Sequence, residues 1–515
     1  MYTQYTMNQT TLPLEIDSLL PNNHIVYSIN QVVEDLENTH YQLIANDFGR
    51  PAYHPKLLLK ALLFAYSEGI FSGRKIEKMM QENLAMHWLT GQTVITYRTI
   101  NRFRVSDTIK GIIRELYCTF SIRLKQEKLI EGQSLFIDGT KIEANANKYT
   151  FVWKKAVDRF YPKLKQKELD YYNQEIAPLI DQAVERDTNQ EFSKEEITEL
   201  HHLLEEEIEK VEDKLTSTKE KEALSRLKKK RRSLKKHRNR LKKDFIPREQ
   251  KYENYYETFD DRNSFSKTDK DATFMRMKDD HMMNGQLKPG YNVQIATENQ
   301  FVLHTQIYPN PTDTKTLIPL LDSLPEVIKP SSYIVADAGY GSQENLEFLE
   351  QSRWTGLVKY GMYEKEQKKK YMKSDKNLDN WTYDEEQNTY THPDGTLYAH
   401  GYIRRQKTSS GYITFSHVYH STDPTYRNGK KSLWINYEYE EQKLKIKEKL
   451  SSKKGAKLYG QRKIDVEPTF GQVKANLGFT RFSVRGKSKV EIETNLIFMA
   501  NNLRKYNKRS KNNEK

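Results

Sequence analysis

Three carboxylates stand where a divalent cation could be held. Asp138 ends the apolar run Leu135, Phe136, Ile137 and is followed by Gly139. Asp337 ends the run YIVA, with Gly339 and Gly341 just beyond it. Glu467 sits in VEPTFGQVK, beside Pro468. A charge at the end of a buried strand is costly unless it is paired or bound to a cation. Two acids on adjacent strands and a third on a helix would hold two Mg2+ (or Mn2+) ions about 3.5–4 Å apart. Such a pair activates a water or a 3′-hydroxyl and stabilises the leaving oxygen of an in-line displacement at phosphorus. Mg2+ takes few carboxylates and fills its remaining positions with water and phosphate oxygens. Taken singly, an Asp-Gly at a strand end is more often a turn than a ligand, because Asp readily bonds its own backbone there. No short motif joins the three acids.

The elements that must position them read as follows. SLFIDGTKIEANA, residues 134–146, alternates as a strand, and YNVQIAT and FVLHTQIY form a hairpin around residues 298–300. A helix is expected over 313–324, then a buried strand ending at Asp337. Pro468 suits a first helical turn, so a helix is expected to open at Glu467. Residues 51–130 read as short helices at 55–68, after Ser72, at 97–104 and at 107–125, separated by Gly69 and Gly73. That arrangement suits a helix-turn-helix-like module in which Arg98, Arg102 and Arg104 reach phosphates or base edges. An ordinary bundle with solvated arginines reads equally well.

Residues 155–245 are different material. Leu200, Leu204, Ile208, Val211 and Leu215 repeat at helical spacing, and Leu227, Leu234 and Leu241 step by seven. The pattern predicts a coiled-coil-like hairpin, turned around 187–190 or interrupted near 216–218. Its charge is acidic through 195–213, then strongly basic, with twelve Lys/Arg within 226–243. A basic helix of that density points to a nucleic-acid backbone, whereas a milder charge run would be a solvated face. Residues 360–435 are rich in Tyr, Thr, Gly and His and alternate as strands, and helical pattern returns from about residue 440.

Length and charge bound the class. A chain of 515 residues exceeds what one core usually supports, so two to four domains are expected. The net charge of +14 points to a polyanion partner. The single cysteine, Cys118, excludes a disulfide framework or a Cys-ligated zinc site within one chain. No apolar run approaches the ~20 residues of a membrane span, and no signal-peptide pattern opens the chain, so a cytoplasmic protein is expected.

Four stretches carry a resemblance. They are HPKLLLKALLFAYSEGIFSGRKIEKMMQEN with TYRTINRFR; LFIDGTKIEANANKY; GYNVQIAT, PTDTKTLIPLL and YIVADAGYGS; and YGQRKIDVEPTFGQVKANLGFTRFSVRGK. The sequence resembles the DDE transposases of bacterial insertion sequences, of the type with a Y-R-E-K signature. Here that signature is Tyr459, Arg462, Glu467 and Lys474, one residue longer between Arg and Glu than the usual form. The resemblance implies an α/β ribonuclease H-like catalytic core, a mixed sheet flanked by helices. Asp138 would lie on its first strand, Asp337 on its fourth and Glu467 on a late helix, together forming the catalytic and metal-binding triad for Mg2+ or Mn2+. It implies DNA contacts by Tyr459, Arg462 and Lys474; Arg481 and Arg485, in TRFSVRGK, sit close enough in sequence to join them, and Arg98 and Arg102 are added from the helical domain. It also implies terminal inverted repeats and target DNA as partners, and a homodimer in the active complex.

The expected organisation is an N-terminal segment (1–50), an all-α DNA-binding-like domain (51–130) and a core built from 131–155, 261–360 and 441–506. A helical coiled-coil-like insertion (156–260), a β-rich insertion (361–440) and a basic tail (507–515) complete it. Two other readings are a nuclease of the same fold without strand transfer and a catalytically inactive DNA-binding protein.

Overall fold

Apolar residues at helical spacing draw the described N-terminal residues into α1 (Ile25–Glu34), α2 (Pro55–Ser67), α3 (Gly73–Glu82), α4 (Leu84–Thr90), α5 (Tyr97–Phe103) and α6 (Asp107–Gln126). The computed structural model describes residues 16–37, 53–180, 192–277, 285–423 and 432–510. α2 is buried on nearly every side and starts with Pro55, where the missing N–H removes no helical bond. Its Lys56 and Lys60 reach Glu34 of α1 as ion pairs. Ser72 stands at the N-cap of α3 but makes no side-chain cap bond. Helices α1 and α4 were not expected from the sequence. None of the described helices is long and apolar enough to cross a membrane.

After β1 (Ser134–Glu143) the chain enters a second unit, Ala146–Met275 with Leu287–Pro289, while Met1–Asn145, Arg276–Gln286 and Gly290–Lys515 make the first. The second unit holds β2 (Phe151–Trp153), α7 (Lys154–Tyr171), α8 (Lys194–Ser217), α9 (Lys221–Arg240), α10 (Ile246–Phe259), β3 (Ser264–Ser266) and most of β4 (Thr273–Arg276). β2 and β3 pair antiparallel. α8 opens with a Ser193–Glu196 capping box. Leu200, Leu204, Ile208 and Val211 of α8 are buried with Leu234 of α9 and with Leu241, around Leu164, Tyr171 and Phe245. The stepped leucines are thus the buried seam, and the chain breaks at 218–220, between α8 and α9 and next to the interruption expected near 216–218. The alternative turn at 187–190 lies outside the described residues.

This unit also buries charge. Glu249 is fully buried, and its Oε1 lies 2.7 Å from Lys165 Nζ while its Oε2 accepts from the Tyr161 hydroxyl. Glu168, 4% exposed, lies beside them. Burial, then the neighbouring Glu249, push the Glu168 carboxyl well above its ordinary value, against the pull of Lys165 and Arg248. Neither Glu168 oxygen has a hydrogen-bond partner. A folded-state pKa above the unfolded one gives stability that is full below the unfolded value and lost as pH climbs through the folded value. The second unit should therefore weaken between mildly acid and alkaline pH. Hydrogen exchange across α8–α10 should show this loss in the native chain and a flatter profile in Glu168→Gln; an unchanged slope would place the titrating group elsewhere.

The first unit resumes with β5 (Leu287–Glu298), β6 (Phe301–Tyr308), α11 (Leu317–Asp322), β7 (Tyr333–Ala336), α12 (Gln343–Gln351) and β8 (Thr355–Val358). Within it the strands run in the order β6-β5-β1-β7-β8. β6, β5 and β1 pair antiparallel, while β1, β7 and β8 pair parallel. The β5–β6 turn is the two residues Asn299 and Gln300, both at positive φ (55° and 64°), the geometry whose twist matches a hairpin. The Glu298 carboxylate accepts from the backbone N–H of Glu131, Gly132 and Gln133, which fixes the entry into β1.

Two short helices, α13 (Tyr363–Glu366) and α14 (Lys369–Met372), precede β9 (Thr382–Asp384), β10 (Thr389–Thr391), β11 (Leu397–Lys407), β12 (Ile413–Ser421) and β13 (Ser432–Ile435). These five form an antiparallel sheet in the order β13-β12-β11-β10-β9. The chain closes with α15 (Tyr437–Ser451), α16 (Lys453–Gly471) and α17 (Lys487–Ser510). α17 packs on α2, α6 and β6, and α16 packs on β1 and β7.

Two sequence expectations fail here. The helix expected over 313–324 is only Leu317–Asp322, because Asp313 and Thr316 form a turn in which the Thr316 N–H and hydroxyl both bond Asp313 O. No helix opens at Glu467. α16 begins fourteen residues earlier, at Lys453 on the N-cap Ser452, and Pro468 lies inside it. A proline inside a helix removes one backbone bond and crowds the preceding turn; α16 accommodates it and runs on into a wider π-type turn at Gln472–Asn476.

Candidate active site

Strand register brings two of the sequence-predicted acids together. β1 and β7 run parallel with Ile137 opposite Ala336, the last pair of that ladder. Asp138 and Asp337 follow one residue later, side by side where the ladder stops. Asp138 is 7% exposed and Asp337 half-buried. Each carboxylate turns back onto its own loop: Asp138 Oδ1 accepts from Gly139 N at 2.7 Å and Asp337 Oδ1 from Gly339 N at 2.8 Å. The glycines are demanded by space. A Cβ on Gly139 would lie 2.1 Å from Gln294 Nε2, and one on Gly341 would lie 2.2 Å from Lys359 O.

A third aspartate, unnoticed in the sequence, joins them. Asp313 Oδ1 accepts from Asn292 Nδ2 at 2.7 Å and from Gln294 Nε2 at 2.8 Å, two amides on β5. Gln294 stands opposite Gly139 in the β1–β5 ladder and accepts from the Tyr340 hydroxyl. Tyr340 is fully buried. Burial, then the charges of Asp313, Asp138 and Asp337, push its phenol well above the usual range. One buried hydroxyl therefore feels three carboxylates. Asp313 was missed because its stretch, PTDTKTLIPLL, reads as a helix start, and its neighbours are supplied by a distant strand.

α16 brings the positive charge. The Arg462 guanidinium lies 3.4 Å from Asp138 Oδ2, with both side chains about nine-tenths buried. Its Nε is buried and has no hydrogen-bond partner. Tyr459 lies one turn earlier on α16; burial pushes its phenol up to about 12, with the Arg462 charge opposing and the Asp337 charge adding. Lys359 Nζ sits 4.2 Å above the Tyr459 ring. Asp465, 1% exposed, accepts from Gln300 N, and Thr469 donates to Gln300 O, so the β5–β6 turn fixes the rotation of α16.

That rotation leaves Glu467 exposed. It stands five residues beyond Arg462, roughly 140° around the helix at about 100° per residue. Among the described residues its carboxylate does not converge with those of Asp138 and Asp337 to within 4.8 Å. The one His/acid group that does converge to that distance is His201, His202 and Glu205 on α8. There burial lowers the His201 pKa, Glu205 raises it, and His202, Lys242 and Arg238 lower it. The positive charges of Lys242 and Arg238 make a poor setting for a cation.

The other predicted contact residues fall on several segments of the chain. Lys474 is half-buried in the π-type turn after α16. Arg481 donates to Ala144 O at 3.2 Å and Arg485 to Asn145 O at 2.8 Å, so both guanidinium groups are pinned to the segment leaving β1. Arg98 and Arg102 are exposed on α5. Arg104 is not available as expected: it is buried, donates to Phe71 O at 2.7 Å and lies 4.0 Å from Glu493. A helix residue facing a buried acid is drawn inward, which spacing alone does not reveal.

An all-oxygen donor set beside a guanidinium, on the inner strands of a mixed sheet, is suited to an enzyme acting on phosphate esters. Residues 262–503 match the family described as Transposase DDE domain, and residues 14–106 match the one described as Transposase domain (DUF772). Both matches are to transposase families, so the chain carries a transposase DDE domain behind an N-terminal transposase domain. No curated protein and no solved structure matches it. Asp337, Glu467 and Asp313 fall inside the first match; Asp138 falls between the two, and the β1–β7 register is what joins it to Asp337.

Proposed function

We propose that this transposase binds the terminal inverted repeats of an insertion sequence, cleaves the DNA at each end and joins the freed 3′-hydroxyl to target DNA, acting as a homodimer from a ribonuclease H-like core. The observation that carries the reading is the register that sets Asp138, where the pairing of β1 with β7 stops, beside Asp337 just after the end of β7, with Arg462 against the first. Action on DNA puts the protein in the cytoplasm, at the nucleoid when bound.

Asp138 and Asp337 would hold the divalent cation, with Glu467 as the acid the family signature supplies from α16. Mg2+ or Mn2+ bound there would supply Lewis acidity at phosphorus and a lowered pKa for a bound water. Arg462 neutralises Asp138 and presents its unsatisfied Nε–H to an incoming phosphate oxygen. Tyr459, Lys474, Arg481 and Arg485 contact the backbone of the transposon end, where such bonds set register without reading bases. Arg98 and Arg102 reach DNA from α5. In the second unit, Lys229, Arg232 and Lys236 make an exposed basic stripe along α9, whereas Arg231 and Lys235 are paired with Glu212 of α8. The stripe adds salt-dependent backbone affinity.

The test supplies pre-cleaved ends with free 3′-hydroxyls, a target plasmid and Mg2+. Joined product is expected. Cutting of intact ends without joining would favour a nuclease of the same fold, and DNA binding with neither reaction an inactive DNA-binding protein.

A further inference from the structure

We propose that the pocket between α16 and α17 is a phosphate-binding site that seats the DNA backbone away from the acids. The inference rests on the DNA-acting reading above and deepens it. The cavity measures about 220 Å3. Thr469 and Gln472 line it from the end of α16 and the turn after it, and Asn501, Arg504, Lys505 and Lys508 from α17. Gln300 of the β5–β6 turn joins them. Among the described residues, no aromatic ring and no carboxylate lines it. A base would find no ring to stack on, whereas an anion would find three cations and two side-chain amides.

Three observations point to a ligand. First, the cations lack counter-ions: among the described residues, Arg504, Lys505 and Lys508 form no ion pair. Asp465, whose charge Lys505 feels, spends its oxygens on Gln300 N and on Gln461 Nε2 at 3.3 Å. Second, Lys505 is half-buried. Burial, then the Arg509 charge, push its amine down to about 7, against the pull of Asp465. Taking a cation out of water is costly unless an anion compensates, and an entering phosphate would do so. Third, Asn501 is 6% exposed, and its carboxamide makes no hydrogen bond among the described residues. An amide on so buried a residue is usually bonded, and the cavity it lines is where a partner can enter.

The walls are also preorganised. Lys505 Nζ donates to Gln300 Oε1 at 2.7 Å, Gln300 Nε2 to Ile464 O at 2.9 Å and Thr469 to Gln300 O at 3.4 Å, so one turn ties both helices. Arg504 is held by Ser67 O. A solvated basic face would leave its cations exposed, as Lys508 is; Arg504 and Lys505 are not. Register puts Ile295 opposite Asp138, and Gln300 follows five residues on, about 15 Å along the strand. A duplex covers that in about five base pairs. A backbone contact at that remove sets the position of the DNA without reading its bases.

The experiment measures binding of the full chain to a labelled duplex of arbitrary sequence by fluorescence anisotropy over a range of NaCl. Inorganic phosphate is tested separately, by its effect on melting temperature against chloride at equal ionic strength. Wild type is compared with Asn501→Asp, Lys505→Gln and Gln367→Glu. Asn501→Asp keeps the side-chain shape and puts an anion where the phosphate would sit. Gln367→Glu adds the same charge at an exposed position elsewhere. The expected result is at least fivefold weaker duplex binding in Asn501→Asp, with no fall in melting temperature, and near wild-type binding in Gln367→Glu. In Lys505→Gln the slope of log affinity against log salt should be shallower by about 1, the loss of one neutralised phosphate. Wild-type affinity and slope in both pocket variants would overturn the site and leave the DNA reading standing. If inorganic phosphate stabilises wild type but not Asn501→Asp, while duplex binding is equal, the pocket takes free phosphate and the DNA assignment is overturned. An equal loss in Gln367→Glu would reveal a general charge effect and overturn it too. No duplex binding by wild type would sink the DNA reading itself, and this proposal with it. If the pocket variants unfold, Lys508→Gln decides: a shallower slope supports the site, and an unchanged one overturns it.

Discussion

Asp138→Asn should lower end cleavage and strand transfer together, by roughly a thousandfold or more, the scale on which single members of preorganised electrostatic sites act. The substitution keeps the shape of the side chain and its bond to Gly139 N, and removes the negative charge. Two losses follow. A cation loses its most buried ligand, and Arg462 loses the anion 3.4 Å away that holds it in place. The second loss should also cost stability, about 1–3 kcal/mol for a buried charged donor left short of acceptors. Asp337→Asn separates the two effects. Asp337 is half-buried, and the only bond described for it is to its own loop, so that variant should match the loss of activity with little loss of stability. Binding to end DNA should survive in both, because the cationic contacts remain. Cleavage within tenfold of wild type in either variant would remove that acid from the site.

Lys165→Met should destabilise the second unit by about 3–5 kcal/mol, the usual cost of breaking a buried pair from one side. Lys165 Nζ lies 2.7 Å from Glu249 Oε1 and donates to Phe192 O at 2.6 Å. Without it, Glu249 is left buried and charged, with Glu168 adjacent and only Tyr161 donating to it. The replacement fills a similar volume, so the loss reads charge and not cavity. Because the chain has two compact units, one global unfolding energy is ill-defined. Local opening free energies of α7–α10 by hydrogen exchange are the proper readout. Replacing Glu168 and Glu249 by apolar residues as well should recover most of the loss, since an apolar substitute avoids desolvating charge. A loss below about 1 kcal/mol would show that water reaches the cluster.

Much was legible along the chain because the signal was local. The leucines of α8 and α9 step at helical spacing, and the structure buries that face. The hairpin over β5 and β6 and the end of β7 before Asp337 follow from alternation and apolar runs, whereas Asp138 does not end its strand: β1 runs on to Glu143, paired with β5. The start of α2 at Pro55 follows from the fixed φ of proline. The sequence misled where a neighbour from elsewhere decided. Spacing offered Arg104 to DNA, and Glu493 with Phe71 O drew it inward. Pro468 suggested a helix start, but α16 was already running and was held on both sides by Asp138 and Gln300.

Alternation and the family signature single out three acids along the chain: Asp138, Asp337 and Glu467. Which carboxylates come close is settled by folding. Register places Asp138 beside Asp337, because residues distant in the chain meet only through the ladder between β1 and β7. The tie between α16 and the β5–β6 turn leaves Glu467 outward, because on a helix the facing of each residue is set by the contacts of the others. Two amides of β5 hold Asp313 in the gap, an arrangement no local pattern encodes.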